Sequence, residues 1–550
     1  MSEPIRQKQL SGLTARQLQI LKLLQEGKPN KALSEELGIG LGTVKQHLVA
    51  LFKKLNVKNR VMAASLANDI RQGPETVQPS SLRAAVLLDR RPCVVLSMSL
   101  PQDASPQAVR LMHGSLASIS ASNDAIFLAR PGNAGDIIFG IQRTTEYILA
   151  VALQTAQAVH TDLQATSAEM AAQLRACLTG GHAFASMQRF GGWTGEALAS
   201  AAISSARELL DTVAPGYFTI DRTAHDLITL FGIEGLPENA KTMPFVVIEQ
   251  LRWSANRPEY ELVGRDAEKK VLLSALEESA LGHGKLINIE GETGMGKSRL
   301  CEDILHFCQS SSGDASFYRS LPAALGELCY DTLTCQYCTV ESIGSRLRAP
   351  PSQLPALVIV DDIHLLSSAQ QAMLASASAD ALQQGKLVVF AGRKIVRFPD
   401  APPAEIIGLR RMSPQLLQGL VRKALGKGGV KNRTNKVLSI CSAAAGVPLF
   451  AIELARHHRE DERLPLTLQV AINARLDGLH LDRRLLREVA KHAAGISLVE
   501  ASHEMGEDIA TVRRQTNNSV AAGVLSCTAD EWVSFTHPLL RLAINDTITD

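Results

Sequence analysis

The chain has 550 residues, a formal net charge of only +2 at pH 7 and nine cysteines. That near-neutral total argues for neither a nucleic-acid nor a membrane partner at the level of the whole chain, and the length allows about three or four domains. No apolar run reaches the roughly 18 residues of a membrane span, residues 1–10 carry no signal-peptide core, and the cysteines lack the spacing of a disulfide framework, so a cytoplasmic protein is expected.

The charge is unevenly spread. Within residues 1–60 eleven Lys and Arg face four acidic residues. Leu13-Thr14-Ala15-Arg16 opens a helix that runs to Glu26-Gly27, a second follows Pro29-Asn30-Lys31, and Gly38 breaks it before a third over about 41–55, which predicts a helix-turn-helix. Val44, Leu48, Leu51 and Leu55 form one apolar stripe on the third helix and leave Thr43, Lys45, Gln46 and Lys53 outward, the face a recognition helix offers a major groove.

The runs L-T-x-R, G-x-x-N-K, T-V-K-x-H-L and K-L-x-V-x-x-R make residues 12–70 resemble the LuxR/GerE DNA-binding domain. The resemblance implies that Thr43, Lys45 and His47 lie at the groove of double-stranded DNA, with Gln46 on the same face. It implies phosphate contacts for Lys53, Lys54 and Lys31. The family usually carries Glu after L-T-x-R, where this chain has Gln17.

Residues 73–82 have the Pro, Gly and Ser content of a linker. Beyond it, Arg90-Arg91-Pro92 is read as preceding a strand over 93–100, followed by a helix near 107–120 and a hairpin of 124–129 with 136–141. This βαββ order fits a ferredoxin-like sheet. Trp193-Thr194-Gly195-Glu196, Ala201-Ala202 and the run Ala214-Pro215-Gly216-Tyr217-Phe218-Thr219-Ile220 resemble the class III nucleotidyl cyclase homology domain. The departures matter more than the likeness. Ser99 and Asn133 stand at the family's two metal-binding Asp positions, and Ala199 and Ile203 at its transition-state Asn and Arg. Two-metal phosphoryl chemistry needs both carboxylates, so residues 83–230 are expected to sense, dimerise or dock without making cyclic nucleotide. An active cyclase is the alternative.

After a second linker, 231–258, Gly291-Glu292-Thr293-Gly294-Met295-Gly296-Lys297-Ser298 follows an apolar run and precedes a helix, the G-x-x-x-x-G-K-S/T spacing that wraps phosphates in backbone N–H groups. In that pattern Lys297 reaches the β and γ oxygens and Ser298 coordinates Mg²⁺. Leu357-Val358-Ile359-Val360-Asp361-Asp362 reads as a buried strand ending in carboxylates, with Asp361 for Mg²⁺ and Asp362 to orient an attacking water. Cys329, Cys335 and Cys338 lie between these motifs. They offer either three thiolates to a metal or redox switch, or small apolar fillers, and the lack of a second C-x-x-C favours fillers.

Val263-Gly264-Arg265 resembles the V-G-R of AAA-like and STAND regulators, which packs near the adenine. Gly392-Arg393 stands where a sensor would feel the γ-phosphate, Gly446-Val447-Pro448 resembles the G-x-P of STAND lids, and Phe535-Thr536-His537-Pro538-Leu539 resembles the end of their winged helix. The resemblance implies a LuxR-type, STAND-like ATPase regulator that switches between ADP and ATP with Mg²⁺, self-associates when open, and hydrolyses slowly. It also implies an effector or partner protein. An ATP-driven remodelling machine without promoter specificity and a defence or signalling scaffold with nonspecific DNA binding are the competing classes. The expected fold is multidomain α and α/β. It comprises an all-α helix-turn-helix (1–72), the α+β domain (83–230), an α/β P-loop NTPase (259–412), a helical lid (413–460) and a winged helix (461–550).

Overall fold

The computed structural model describes residues 87–231, 233–234, 242–245, 252–253, 262–321, 329–399, 401–426, 433–457 and 464–548. The basic N-terminal module, with Lys31, Thr43, Lys45, Gln46, His47, Lys53 and Lys54, lies outside the described residues.

Chain order begins with β1 (Leu87–Ser99), α1 (Pro106–Ser122), β2 (Ile126–Ala129), β3 (Ala134–Phe139), α2 (Ile148–Thr166), β4 (Arg175–Met187), β5 (Trp193–Ser200), α3 (Ala201–Asp211), β6 (Tyr217–Ile220) and β7 (Thr242–Pro244). They form one sheet in the order β2-β3-β1-β4-β6-β7, with β5 on β4. Two expectations change. β1 starts before Arg90-Arg91-Pro92 and contains them; its pairing with β3 begins at Val94, so Pro92, which cannot donate to a ladder, lies where only β4 is its neighbour. The stretch expected to be a linker, 231–258, contributes β7, which pairs antiparallel with β6.

Helix α2 explains how this layer meets the next. Ile148, Leu149, Ala150, Val151, Ala152 and Leu153 are all buried in succession. A helix that is apolar all round needs partners on more than one side. Its core cluster accordingly takes in Leu321 and Tyr330 of the following sheet and Val470 from the C-terminal part of the chain.

That second sheet is built from α4 (Asp266–Ala280), β8 (Lys285–Glu290), α5 (Lys297–Ser310), β9 (Asp314–Ser320), β10 (Cys329–Asp331), β11 (Gln336–Cys338), α6 (Val340–Arg348), β12 (Ala356–Asp361), α7 (Ser368–Gln383), β13 (Lys386–Gly392) and β14 (Ala404–Gly408). The strand order is β11-β10-β9-β12-β13-β8-β14. β8, β9, β12, β13 and β14 pair in parallel, and β10–β11 is an antiparallel edge hairpin. Strands covered by helices on both faces are buried throughout, which is why 357–360 reads as a continuous apolar run.

The C-terminal part comprises α8 (Pro414–Ala424), α9 (Arg433–Ala444), α10 (Pro448–Arg456), α11 (Leu466–Asp477), α12 (Arg483–Lys491), β15 (Ile496–Ser497), α13 (Leu498–Met505), α14 (Ile509–Ala521), β16 (Leu525–Cys527), β17 (Trp532–Phe535) and α15 (Pro538–Thr547). α8, α9 and α10 share one small core. α11 to α15 and the sheet β15-β17-β16 share another. Residues 86–550 form one compact unit, so the layers are held by one another as well as by the chain.

Candidate functional site

β8 lies where the order of parallel strands reverses, since the chain next forms β9 on one side of it and later β14 on the other. Open α/β sheets present a crevice at the carboxyl ends of their strands at such a point. Register places three motifs along that edge. Glu290, the last residue of β8, pairs with Gly392, the last of β13, and Val360 of β12 pairs with Phe390. The glycine loop, Asp361-Asp362 and Arg393 therefore leave the sheet side by side.

The loop turns through Gly294 and Gly296, whose φ of +80° and +94° lie in the left-handed region that favours glycine. Helix α5 begins at Lys297. Lys297 Nζ donates to the carbonyls of Gly291 at 2.9 Å and Glu292 at 3.1 Å, so the cation folds back over its own loop. The Ser298 hydroxyl lies beside Asp361 and favours its charged form. Asp361 is fully buried; burial and the adjacent Asp362 push its carboxyl up to about 6 against the opposing charge of Arg319. Arg319 belongs to β9, directly across from Asp361 in register, and its guanidinium lies 3.9 Å from Asp361 Oδ2.

Asp362 departs from the strand with φ +53°, an uncommon conformation for a non-glycine residue. Its Oδ2 accepts from the phenol of Tyr147 at 2.5 Å. Burial, with Asp362 and Glu146 beside it, holds that phenol well above its ordinary pKa. Glu146, the preceding residue, accepts from Thr293 Oγ1 of the glycine loop at 2.9 Å and pairs with Arg393. Burial raises the Glu146 pKa, assisted by Asp362 and opposed by Arg393, Thr293 and Lys297. His364, after the carboxylates, is pushed down to about 4 chiefly by burial.

The remaining expected nucleotide residues have structural duties here. Arg265 is buried and donates to the carbonyls of Met295 at 3.0 Å and Arg410 at 2.8 Å, clamping the loop to the segment after β14. Gly264 has φ +66°, and a Cβ there would meet the Leu416 side chain at 2.5 Å. Met295 is part of the sheet core. Pro448 starts α10, and its neighbours close over the loop: Leu449 N–H donates to Gly294 O at 3.2 Å, while a Cβ on Gly294 would strike Leu449 and Val447. Exposed Glu292 pairs with Arg475 of α11 at 3.1 Å.

Two other groups are placed apart from this crevice. Ser99 ends β1 opposite Ala134, with its buried hydroxyl lacking a hydrogen-bond partner, and Asn133 donates its amide to Leu100 O. Ala199 lies on β5 and Ile203 is buried in α3. Cys329 and Cys338 are cross-strand partners in the β10–β11 hairpin, while Cys335 sits at its turn and packs toward the α2 core. Among the described residues there is no group of three or more His, Cys, Asp or Glu suited to a metal. Nor is any helix there long and apolar enough to cross a membrane.

Sequence reasoning did not find Glu146, Tyr147 and Arg319. The only signal for the first two was the all-round apolar helix they introduce, and for Arg319 a lone cation in an otherwise uncharged strand end.

Residues 11–67 match the family model of bacterial regulatory proteins, luxR family. Over 61 residues the chain is 48% identical to the putative HTH-type transcriptional regulator YhjB of Escherichia coli K12, covering 11% of this chain and 30% of that protein. Over 56 residues it is 48% identical to the transcriptional regulatory protein LiaR of Bacillus subtilis, covering 10% and 26%. The chain thus spans under a third of the length of these curated relatives. Residues 11–67 are a LuxR-type helix-turn-helix segment. Among solved structures, the Walker-type ATPase PABY2304 of Pyrococcus abyssi overlaps 53% of this chain and 98% of its own at 12% identity and a TM-score of 0.36, too distant to define a fold.

Proposed function

We propose that this chain is a nucleotide-controlled transcription regulator: its LuxR-type segment binds double-stranded DNA, and its glycine-loop module binds ADP or ATP with Mg²⁺ to set whether the chain self-associates. The observation that carries this reading is the alignment of the glycine loop, Asp361-Asp362 and Arg393 at one sheet edge, in the same chain as a DNA-binding segment.

The chemistry of the site fits the ion. Asp361 Oδ2 is buried without a hydrogen-bond partner and the Ser298 hydroxyl adjoins the same carboxylate, so these two residues would hold a hydrated Mg²⁺. Mg²⁺ bound there supplies charge neutralisation to the phosphate oxygens. The loop N–H groups cradle the phosphates once Lys297 leaves the carbonyls of Gly291 and Glu292, and Arg393 answers the terminal charge. Asp362 orients water for slow hydrolysis that resets the switch. The layer 87–231 and β7 serve regulation, with Ser99 and Asn133 in place of metal-binding carboxylates.

Calorimetry of the full chain with Mg-ADP and Mg-ATP tests the reading, alongside Lys297→Ala. Nucleotide binding that is lost in the variant, with specific promoter binding that depends on the nucleotide in the parent, is expected. A parent chain that binds no nucleotide, or DNA binding that never discriminates sequence, sinks it.

A further inference from the structure

The loop before α2 carries Glu146 and Tyr147 from one layer into the crevice of the next. On the nucleotide reading above, we infer that the Glu146 carboxylate occupies the position of a triphosphate's terminal phosphate, so that the closed molecule admits a nucleoside diphosphate and excludes the triphosphate until this loop withdraws.

The partners of Glu146 are those a phosphoryl group would take. Thr293 Oγ1 of the glycine loop donates to it at 2.9 Å, Arg393 at the end of β13 pairs with it, and Lys297 acts on it electrostatically. A diphosphate ends before this position and leaves the carboxylate in place. A triphosphate brings like charge against it and competes for the same donors, which is unfavourable in this half-buried crevice. Glu146 must then leave, and Tyr147 with it. The departure of Tyr147 releases Asp362, whose Oδ2 its phenol holds at 2.5 Å.

The loop is also fixed at its other end. Thr144, two residues earlier, is buried; its N–H donates to Asp477 Oδ2 of α11 at 2.7 Å and its hydroxyl accepts from Arg91 at 2.8 Å. Gly140, at the start of the loop, has φ +94°, and a Cβ there would strike Pro92 O at 2.6 Å, so only glycine lets the loop leave this close to β1. α11 reaches the glycine loop directly as well, through Arg475 and Glu292. Withdrawal of Glu146 therefore pulls on Thr144 and on its attachment to α11, which ties the phosphate count at the crevice to the contact between the first sheet and the C-terminal helices.

The test is calorimetric titration of the full chain, with Mg²⁺, using ADP and a hydrolysis-resistant ATP analogue. The parent is expected to prefer the diphosphate. Glu146→Gln keeps an acceptor for Thr293 but removes the charge, and raises affinity for the triphosphate analogue by about tenfold or more while ADP affinity moves by less than about twofold. Tyr147→Phe, which keeps the buried ring, shifts the ratio in the same direction by a smaller factor. Both nucleotides binding with an unchanged ratio in the two variants overturns the inference and leaves the nucleotide site standing. A parent chain that binds neither nucleotide removes the site and the inference together.

Discussion

Arg91 and Asp477, 386 residues apart in the chain, form an ion pair closed off from solvent, with their side chains 0% and 5% exposed. Arg91 lies in β1 and Asp477 at the end of α11. Around them Arg91 also donates to Asn473 Oδ1 at 3.3 Å, Gly140 O at 3.2 Å and Thr144 Oγ1, while Arg483 pairs with both Asp477 and Asp89. Burial alone would raise the Asp477 pKa, but Arg91 and Arg483 hold it below the ordinary carboxylate range.

Asp477→Ala leaves two buried guanidinium groups short of their shared carboxylate and is expected to cost about 3–5 kcal/mol. The sign of the pH effect follows from the lowered pKa. The stability this carboxylate contributes is present above its unfolded value near 4, and is lost as pH falls through the folded one. Denaturant unfolding of parent and variant checks both points; a loss under about 1 kcal/mol would show that the cluster does not hold the layers together.

His537 caps α15. Its Nδ1 accepts from Leu539 N–H at 3.1 Å and its Nε2–H donates to Ala444 O at 3.1 Å, so the ring is held neutral between the C-terminal helix and the end of α9. Burial, with Arg411 nearby, pushes its pKa down to about 4. The unfolded chain binds the proton more readily. This contribution is therefore complete above about pH 6.5 and is lost as pH falls toward 4, up to roughly 3 kcal/mol. His537→Asn should flatten the dependence of the unfolding midpoint on pH across that window, and an unaltered slope would contradict the assignment.

In the LuxR-type segment, Lys45→Ala is expected to weaken specific DNA binding by roughly 1–3 kcal/mol if it reads a base. Lys53→Ala should weaken all sequences alike and lower the salt slope by about one. Binding isotherms on promoter and random duplexes at several salt concentrations separate the two; equal losses on both DNAs for both variants would mean the recognition face is elsewhere.

The first sheet is expected to make no cyclic nucleotide. Ser99 and Asn133 lie together at the ends of β1 and β3 but bring no negative charge for a metal pair, and the Asn133 amide is spent on Leu100 O. Arg207, one turn beyond Ile203, is engaged with Asp136 at 2.9 Å. Formation of cyclic AMP or cyclic GMP by the purified chain, lost in Asn133→Ala, would reverse this expectation.

What the sequence determined by itself is what contiguous residues can encode. The glycine loop is legible because eight neighbouring residues supply the left-handed turns, the lysine and the hydroxyl. The Asp361 strand is legible because double-sided burial demands an unbroken apolar run, and the LuxR-type segment because its motifs lie together within residues 11–67. The edge on which these motifs meet, and the residues that enter it from elsewhere, came only from tertiary structure. Arg91 reads as a lead-in to a strand and is the centre of a buried charge cluster; Glu146 and Tyr147 read as an unmarked loop and reach the crevice at the glycine loop. The reason is physical: the worth of a charge or a phenol depends on what removes water from it and what pairs with it. Those partners lie in other layers, hundreds of residues away, where no local pattern records them.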